Sequence, residues 1–372
     1  MTSHINGIID SIRKAIQCST QGMIGREQLA ELVVLAAVAQ EHLLVIGPPG
    51  TAKSAVVRRV SQTLGGRYFE YLLGRFTEPS ELFGAVDLKK LKEGKVETDI
   101  TGMLPEADIV FLDEVFLGST AILNTLLGIL NERRFKRGHT DIISPLKVCI
   151  GAANSLPDDP NLAAFSDRFL IHLFIDPVPD HQLEAMLEGG WASSLTPLSV
   201  QLDIMRLNEL HLAVKNVDLT QVRPLIANAV RSLRNAGITL SDRRIVRVQR
   251  LIAAATVLNN REIATEQDLW PLLYVLPTED AQQQGREILR QELSLSMNSR
   301  LFSSVEEATL QPQSRMNRLI ERATDVLNAQ PVSKADIELT LREIDANFST
   351  EMLSEELATL RTQLAIQFSH LL

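Results

Sequence analysis

The stretch Gly47-Pro48-Pro49-Gly50-Thr51-Ala52-Lys53-Ser54 decides how the chain is read, because of what flanks it. Residues 42–46, HLLVI, precede it as a short apolar run, and a helical pattern follows through Val60. Strand, glycine-rich turn and helix in that order bind nucleotide phosphates. The backbone N–H groups of the turn point inward, and the helix N-terminus adds partial positive charge. On this reading Lys53 reaches the β- and γ-phosphates and the Ser54 hydroxyl holds Mg²⁺. The usual pattern has glycine before the lysine, where this chain has Ala52. An alanine is accommodated there if its φ is negative and its methyl group points away from phosphate. A chance Gly/Pro turn before a helix would account for the glycines, but not for Lys-Ser at this offset.

A second stretch completes the pattern. Residues 109–114 read IVFLDE, four apolar residues ending in two carboxylates. A buried parallel strand delivers Asp113 and Glu114 to its C-terminal edge, where ligands sit in open α/β sheets. Asp113 would orient Mg²⁺ or its water. Glu114 would polarise the water that attacks the γ-phosphate, since neutral water must lose a proton. Asp-Glu after an apolar run also suits a helix cap; the phosphate loop about 60 residues upstream is what gives the pair its meaning.

The composition bounds the rest. The 372 residues suggest two or three domains. Hydrophobic residues at 45% and charged residues at 22% exclude whole-chain disorder. No window is apolar enough to span a bilayer, and the N-terminus lacks a secretory pattern. Cys18 and Cys149 are the two cysteines; they build no disulfide framework or cysteine zinc site and fit a reducing cytosol. A net charge of −9 speaks against a general nucleic-acid coat, although a local basic stripe is compatible with it.

Aromatic content of 5% with plentiful Leu, Ala, Ile and Val favours helices and buried parallel strands. Residues 42–46, 107–112 and 146–152 read as such strands, and Asp176-Pro177-Val178-Pro179 ends the region. The expected division is therefore an α/β nucleotide-binding core over 1–178, a helical unit over 179–278 and a helical extension over 279–372. In the second unit, residues 222–233, 243–258 and 265–275 carry helical spacing, with Thr265 and Asp268 as an N-cap and acidic first turn and Pro277 as a stop. The extension has three apolar seams: Leu353, Leu357, Leu360, Leu364 and Leu371; Ile337, Leu341, Ile344 and Phe348; Met316, Leu319, Ile320, Ala323 and Leu327. They predict an α-hairpin or small bundle, or one seam left to dock a partner or neighbouring subunit.

GPPGTAKS, IVFLDE, the GAAN stretch ending at Asn154 and Ser166-Asp167-Arg168-Phe169 together resemble the MoxR branch of AAA+ ATPases. Ala52 and Ser241-Asp242-Arg243-Arg244 resemble its RavA type most, and the likeness spans about residues 15–278. The resemblance implies an AAA+ P-loop core with a five-stranded parallel sheet and a helical lid, and ATP and Mg²⁺ as cofactors. It also implies a homo-oligomeric, hexameric ring in the cytoplasm. Asn154 would be the sensor 1 residue that positions the attacking water with Glu114, a turn-forming Asn being the plainer explanation. Arg168 resembles the arginine finger given to the neighbouring subunit's nucleotide, with an internal ion pair to Asp167 as the alternative. Arg243 resembles the sensor 2 arginine, with Arg244 as the alternative and Ser241 or Asp242 as the cap of its helix. Ile24 would contact the adenine, or else pack in the core. Glu132 and Arg133 suit either a subunit interface or a solvated helix end.

Two insertions belong to the same likeness. Residues 84–102 read as a short hairpin around Glu93-Gly94, and 134–145 as a β-hairpin turning at Arg137-Gly138-His139. Lys89, Lys90, Lys92 and Lys95 could touch a client or another subunit, or be solvated. After residue 278 the chain departs from the RavA type, whose β-rich inserted domain has no counterpart, so partners of that domain are not expected. The function implied is Mg²⁺-dependent ATP hydrolysis that remodels a protein client, with a von Willebrand factor A (vWA) domain partner. A nucleotide-dependent scaffold with little turnover is the alternative; a kinase or a nucleic-acid remodeller ranks lower.

Overall fold

The computed structural model describes residues 3–195, 198–199, 202–310, 312–328, 334–348 and 353–370. Among the described residues seven strands occur in chain order: β1 (Leu43–Ile46), β2 (Tyr68–Leu72), β3 (Ile109–Asp113), β4 (Arg134–Arg137), β5 (Thr140–Ile143), β6 (Val148–Ala153) and β7 (Ile171–Phe174). Five of them form one parallel sheet in the order β2-β3-β6-β1-β7. The three apolar runs of the sequence are its interior strands β3, β6 and β1. They are continuous apolar runs because both faces are covered.

Alternation along each strand sorts the side chains onto those faces. Leu43, Val45, Ile109, Phe111, Val148 and Ile150 face the large core, with helices Ser3–Thr20, Glu27–Ala39 and Lys53–Leu64. Leu44, Ile46, Val110, Leu112 and Cys149 face a second core under helix Thr120–Glu132. Helix Glu27–Ala39 is buried from Leu29 to Ala39 because the sheet lies on one side of it and the lid helix Asp242–Leu258 on the other.

After the sheet come helices Arg206–Lys215, Val222–Asn235 and Asp242–Leu258, the last two of them in the lid. The expected helix over 265–275 is instead a 3₁₀ turn, Glu266–Asp268, and a four-residue helix, Pro271–Tyr274. Two local causes divide it. The Asp268 carboxylate accepts the Thr265 N–H at 3.0 Å in a capping box, and Pro271 has no N–H to continue a helix.

Beyond the lid, Leu289, Leu293, Leu301, Val305 and Ala308 still join the large core. Helices Pro312–Asn328, Lys334–Asn347 and Glu355–His370 make a separate three-helix bundle. Its core is Met316, Leu319, Ala323, Ile337, Ile344, Phe348, Leu357 and Leu364, so the three seams face one another. Leu371 lies outside the described residues.

The second insertion is the expected hairpin, β4 with β5, turning through Gly138 at φ +59°. The first is not a plain hairpin. A single antiparallel bridge, Val86 to Thr98, closes it, and Leu88–Lys92 is helical because the Asp87 side chain accepts from the N–H groups of Lys89 and Lys90. The two insertions are joined: the His139 N–H donates to the Val96 carbonyl at 2.7 Å and the Val96 N–H to His139 Nδ1 at 3.0 Å. Lys90 is paired with Glu97 at 3.0 Å. Among the described residues no helix is long and apolar enough to cross a membrane.

Candidate nucleotide-binding site

The phosphate loop leaves the C-terminal end of β1, the strand between β6 and β7. Gly47 N–H donates to the Ala153 carbonyl at 3.1 Å. A Cβ at Gly47 would lie 2.3 Å from the Ile175 carbonyl oxygen, so only glycine fits where the loop enters. Thr51 Oγ1 donates to the Pro48 carbonyl at 2.9 Å and tightens the turn. Lys53 Nζ folds back on the loop, donating to the carbonyls of Gly47 (2.7 Å) and Pro48 (3.0 Å). Burial lowers the Lys53 pKa, while the charges of Asp113 and Glu114 oppose that shift. The loop lysine and both carboxylates thus share one electrostatic site.

Ala52 departs from expectation. Its φ is +61° with ψ 22°, in the left-handed region, so the position does demand what glycine supplies. Holding an L-residue there costs about 1–2 kcal/mol, against about 0.5–1 kcal/mol for the greater chain freedom of glycine. Ala52→Gly is therefore expected to stabilise the nucleotide-free protein by about 1 kcal/mol, seen as a thermal midpoint raised by a few degrees. A lowered midpoint contradicts the strain.

Asp113 ends β3, and its Oδ1 accepts the Glu114 N–H at 3.0 Å. Glu114 itself has φ +50° and ψ 46°, a strained conformation for a non-glycine residue at a strand end. Asn154 follows β6, the strand paired with β3, and its Nδ2 donates to Glu114 Oε1 at 2.6 Å. The carboxylate can only accept, which fixes the amide orientation. Ser54 lies in the first turn of helix Lys53–Leu64, half-buried. A hydroxyl and a carboxylate are hard oxygen donors of the kind Mg²⁺ takes when substrate phosphates and water supply the remainder. Among the described residues no group of three or more His, Cys, Asp or Glu side chains could hold a metal ion.

Ile24 is half-buried in a turn and is not among the partly buried residues packed against the large core. The residue that ties this turn to the phosphate loop is Arg26, which the sequence reading passed over. Its Nε donates to the Thr51 carbonyl at 2.8 Å, and its terminal nitrogens donate to the carbonyls of Gly25 (2.8 Å) and Asp176 (3.0 Å). Burial lowers its pKa. The only cue in the sequence was its place next to Gly25, just ahead of a helix.

The arginines around Asp167 have separate surroundings. Asp167 Oδ1 accepts from Arg244 Nε at 2.8 Å, and Oδ2 lies 3.8 Å from Arg243. Among the described contacts Asp167 pairs with Arg244 and Arg243. Arg168 is half-buried, and its Nε is buried without a hydrogen-bond partner. Arg244 is 2% exposed and also donates to the carbonyls of Phe169 (2.9 Å), Leu170 (3.0 Å) and Val275 (2.8 Å). It is fully engaged within its own chain, whereas Arg243 is 40% exposed. Ser241, not Asp242, caps helix Asp242–Leu258. Arg133 is neither at a solvated end nor free for an interface: it turns inward at φ +53° and donates to the Gln40 carbonyl at 2.7 Å.

His172 packs against Arg244. Arg244 donates to its Nε2 at 3.0 Å, so Nδ1 carries the proton and donates to the Pro277 carbonyl at 2.8 Å. Burial, then the Arg244 charge, push the His172 pKa down to about 3. An unfolded histidine takes up a proton below about pH 6.5, whereas folded His172 does not until about pH 3; stability is therefore lost as pH falls through that window. Between pH 7 and 5 the parent protein should lose about 2 kcal/mol more than His172→Gln, measured by urea unfolding at both values. Equal losses contradict this.

Comparison with known proteins bears on the whole assembly. Residues 10–213 match a family model described as the MoxR domain in the MoxR-vWA-beta-propeller ternary systems, and residues 218–288 match an AAA lid domain. Uncharacterized protein MJ0812 of Methanocaldococcus jannaschii is 32% identical over 246 residues, 66% of this chain and 65% of that protein. Chaperone MoxR1 of Mycobacterium tuberculosis is 23% identical over 211 residues, 54% of each chain. The chain spans just under two thirds of the length of the first of these relatives and about half of the second. A crystal structure from Cytophaga hutchinsonii, of a protein provisionally called an ATPase, superposes with a TM-score of 0.63 at 17% identity; it covers 79% of this chain and 97% of that one and shares the fold. With its family model matched from the first helix through the sheet and a lid model after it, the chain belongs to the MoxR family of AAA+ ATPases.

Proposed function

We propose that the protein hydrolyses ATP with Mg²⁺ in a ring of copies, a hexamer, and uses the energy to remodel a protein client. The observation that carries this reading is the 2.6 Å bond from Asn154 to Glu114, at the sheet edge where Lys53 also feels the Glu114 charge. A carboxylate held by an amide is poised to orient water and take its proton. In this reading residues 47–54 cradle the phosphates, Lys53 shifts from its loop carbonyls to phosphate oxygens, and Ile24 contacts the base. Ser54 and Asp113 hold Mg²⁺, which when bound neutralises charge on the β- and γ-phosphate oxygens. Arg243 serves as the sensor 2 cation and Arg168 as the finger for the neighbouring copy. The units are the core over 1–178, the lid over 179–278 and the extension over 279–372.

A vWA-domain protein is the partner suggested by the description of the matched family. That description favours a three-component setting over the RavA type, to which Ala52 and Ser241–Arg244 pointed. Free Cys18 and Cys149 suit a cytoplasmic setting. The strained Ala52 is the one feature that favours the second reading, a nucleotide-dependent scaffold. Steady-state ATP turnover with and without Mg²⁺, with light scattering in parallel, separates the two. Mg²⁺-dependent turnover by a multimer supports the machine; assembly with no turnover supports the scaffold.

A further inference from the structure

The lid helix Asp242–Leu258 touches the core through arginines on one face, and they meet two carboxylates. Arg247 and Arg250 reach the buried Glu41, at 2.6 and 3.3 Å, just before β1. Arg244 reaches Asp167, 77 residues away in sequence and next to Arg168. Ser241, the cap of the same helix, donates to Asp167 at 3.2 Å. Arg168 itself has a buried Nε with no partner, so nothing described in its own side chain's hydrogen bonding fixes it. The backbone beside it is fixed instead: Arg244 binds the carboxylate of residue 167 and the carbonyls of residues 169 and 170, on both sides of Arg168.

We propose that Asp167 is a positioning residue for the neighbouring copy's reaction, holding the Arg168 loop on the lid helix of its own chain through Arg244. This rests on the reading of Arg168 as a finger given in trans. The same carboxylate lies 3.8 Å from the 40% exposed Arg243, beyond hydrogen-bond distance, so Arg244 at 2.8 Å is the cation it holds. A guanidinium misplaced by about 1 Å loses about 10² in rate, which sets the size of the expected effect.

The test uses mixed full-length chains. Arg168→Ala chains keep an intact pocket and lack the finger; Glu114→Gln chains keep the finger and lack the base. Turnover by an equal mixture reports a finger given by the second chain to the first. Failure of this mixture overturns the trans reading and, with it, the role of Asp167. If the mixture is active, Asp167→Ala is placed in turn on each chain. On the finger donor it should reduce the recovered turnover about 10²-fold, with KM for ATP unchanged; on the Arg168→Ala chain it should reduce it by less than about threefold. Equal losses in the two placements mean a merely structural role and overturn the proposal. Removing Asp167 strands the buried Arg244 charge and endangers folding. Asp167→Asn keeps an oxygen for Arg244 Nε and covers that case, with about a tenfold loss expected on the donor. Undiminished recovery with an Asp167→Asn donor overturns the proposal whatever the alanine variant does.

Discussion

Glu114→Gln should lower ATP turnover about 10²–10⁴-fold while leaving ATP binding nearly unchanged. The substitution keeps the side-chain shape, and the new amide's oxygen can still accept from Asn154 Nδ2 across the 2.6 Å contact. What it removes is the capacity to take a proton from water. Binding should survive if, as proposed, the phosphate contacts come from residues 47–54, and Lys53 keeps Asp113 as a neighbouring charge. Turnover together with equilibrium binding of a fluorescent ATP analogue gives the comparison. A loss of less than about tenfold would mean that another group activates the water. Lost binding would mean that Glu114 shapes the pocket, which its left-handed backbone makes a specific risk.

Arg168→Ala should cost about 10³–10⁵ in turnover, the effect of removing an arginine that stabilises charge on the transferred phosphoryl group. Its stability should not fall appreciably, because the substitution also removes a buried Nε that has no hydrogen-bond partner. The contrast with Arg244 explains the difference: that side chain is buried among three carbonyls, a histidine and Asp167. Arg168 is one residue from the Phe169 carbonyl and two from that of Leu170, yet its side chain makes none of those bonds. Turnover, ATP affinity and thermal unfolding of the variant check all three points. A variant that unfolds early, or turns over like the parent, contradicts the assigned role.

The features legible in the sequence are those written in contiguous residues. The strand, loop and helix around residues 42–60 and the acid pair at 113–114 needed only local patterning, because a strand buried on both faces is an apolar run and its end is where the polar residues begin. The seams of the C-terminal bundle were visible for the same reason, one helix at a time. Their mutual packing was not, since a seam looks alike whether it meets its own chain or another. The Ala52 dihedral was missed because residue type constrains φ only weakly until the surrounding loop is closed; Gly50 at φ +79° and Lys53 folded on its own loop show how tightly it closes here. Arg26, Arg133 and Arg244 were hidden for a common reason. Each is a long cation donating to backbone carbonyls brought near by tertiary packing, and a carbonyl has no signature in sequence. The choice between Arg243 and Arg244 likewise depended on which side of helix Asp242–Leu258 faces the core.

The central claim is that one pocket draws its cradle and carboxylates from one copy and a cation from the next. The most direct measurement is the turnover of an equal mixture of Arg168→Ala and Glu114→Gln chains, each close to inactive alone. Turnover at least about tenfold above the sum of the separate chains is the predicted result. A mixture no more active than that sum, at any ratio and at saturating Mg²⁺ and ATP, would contradict it.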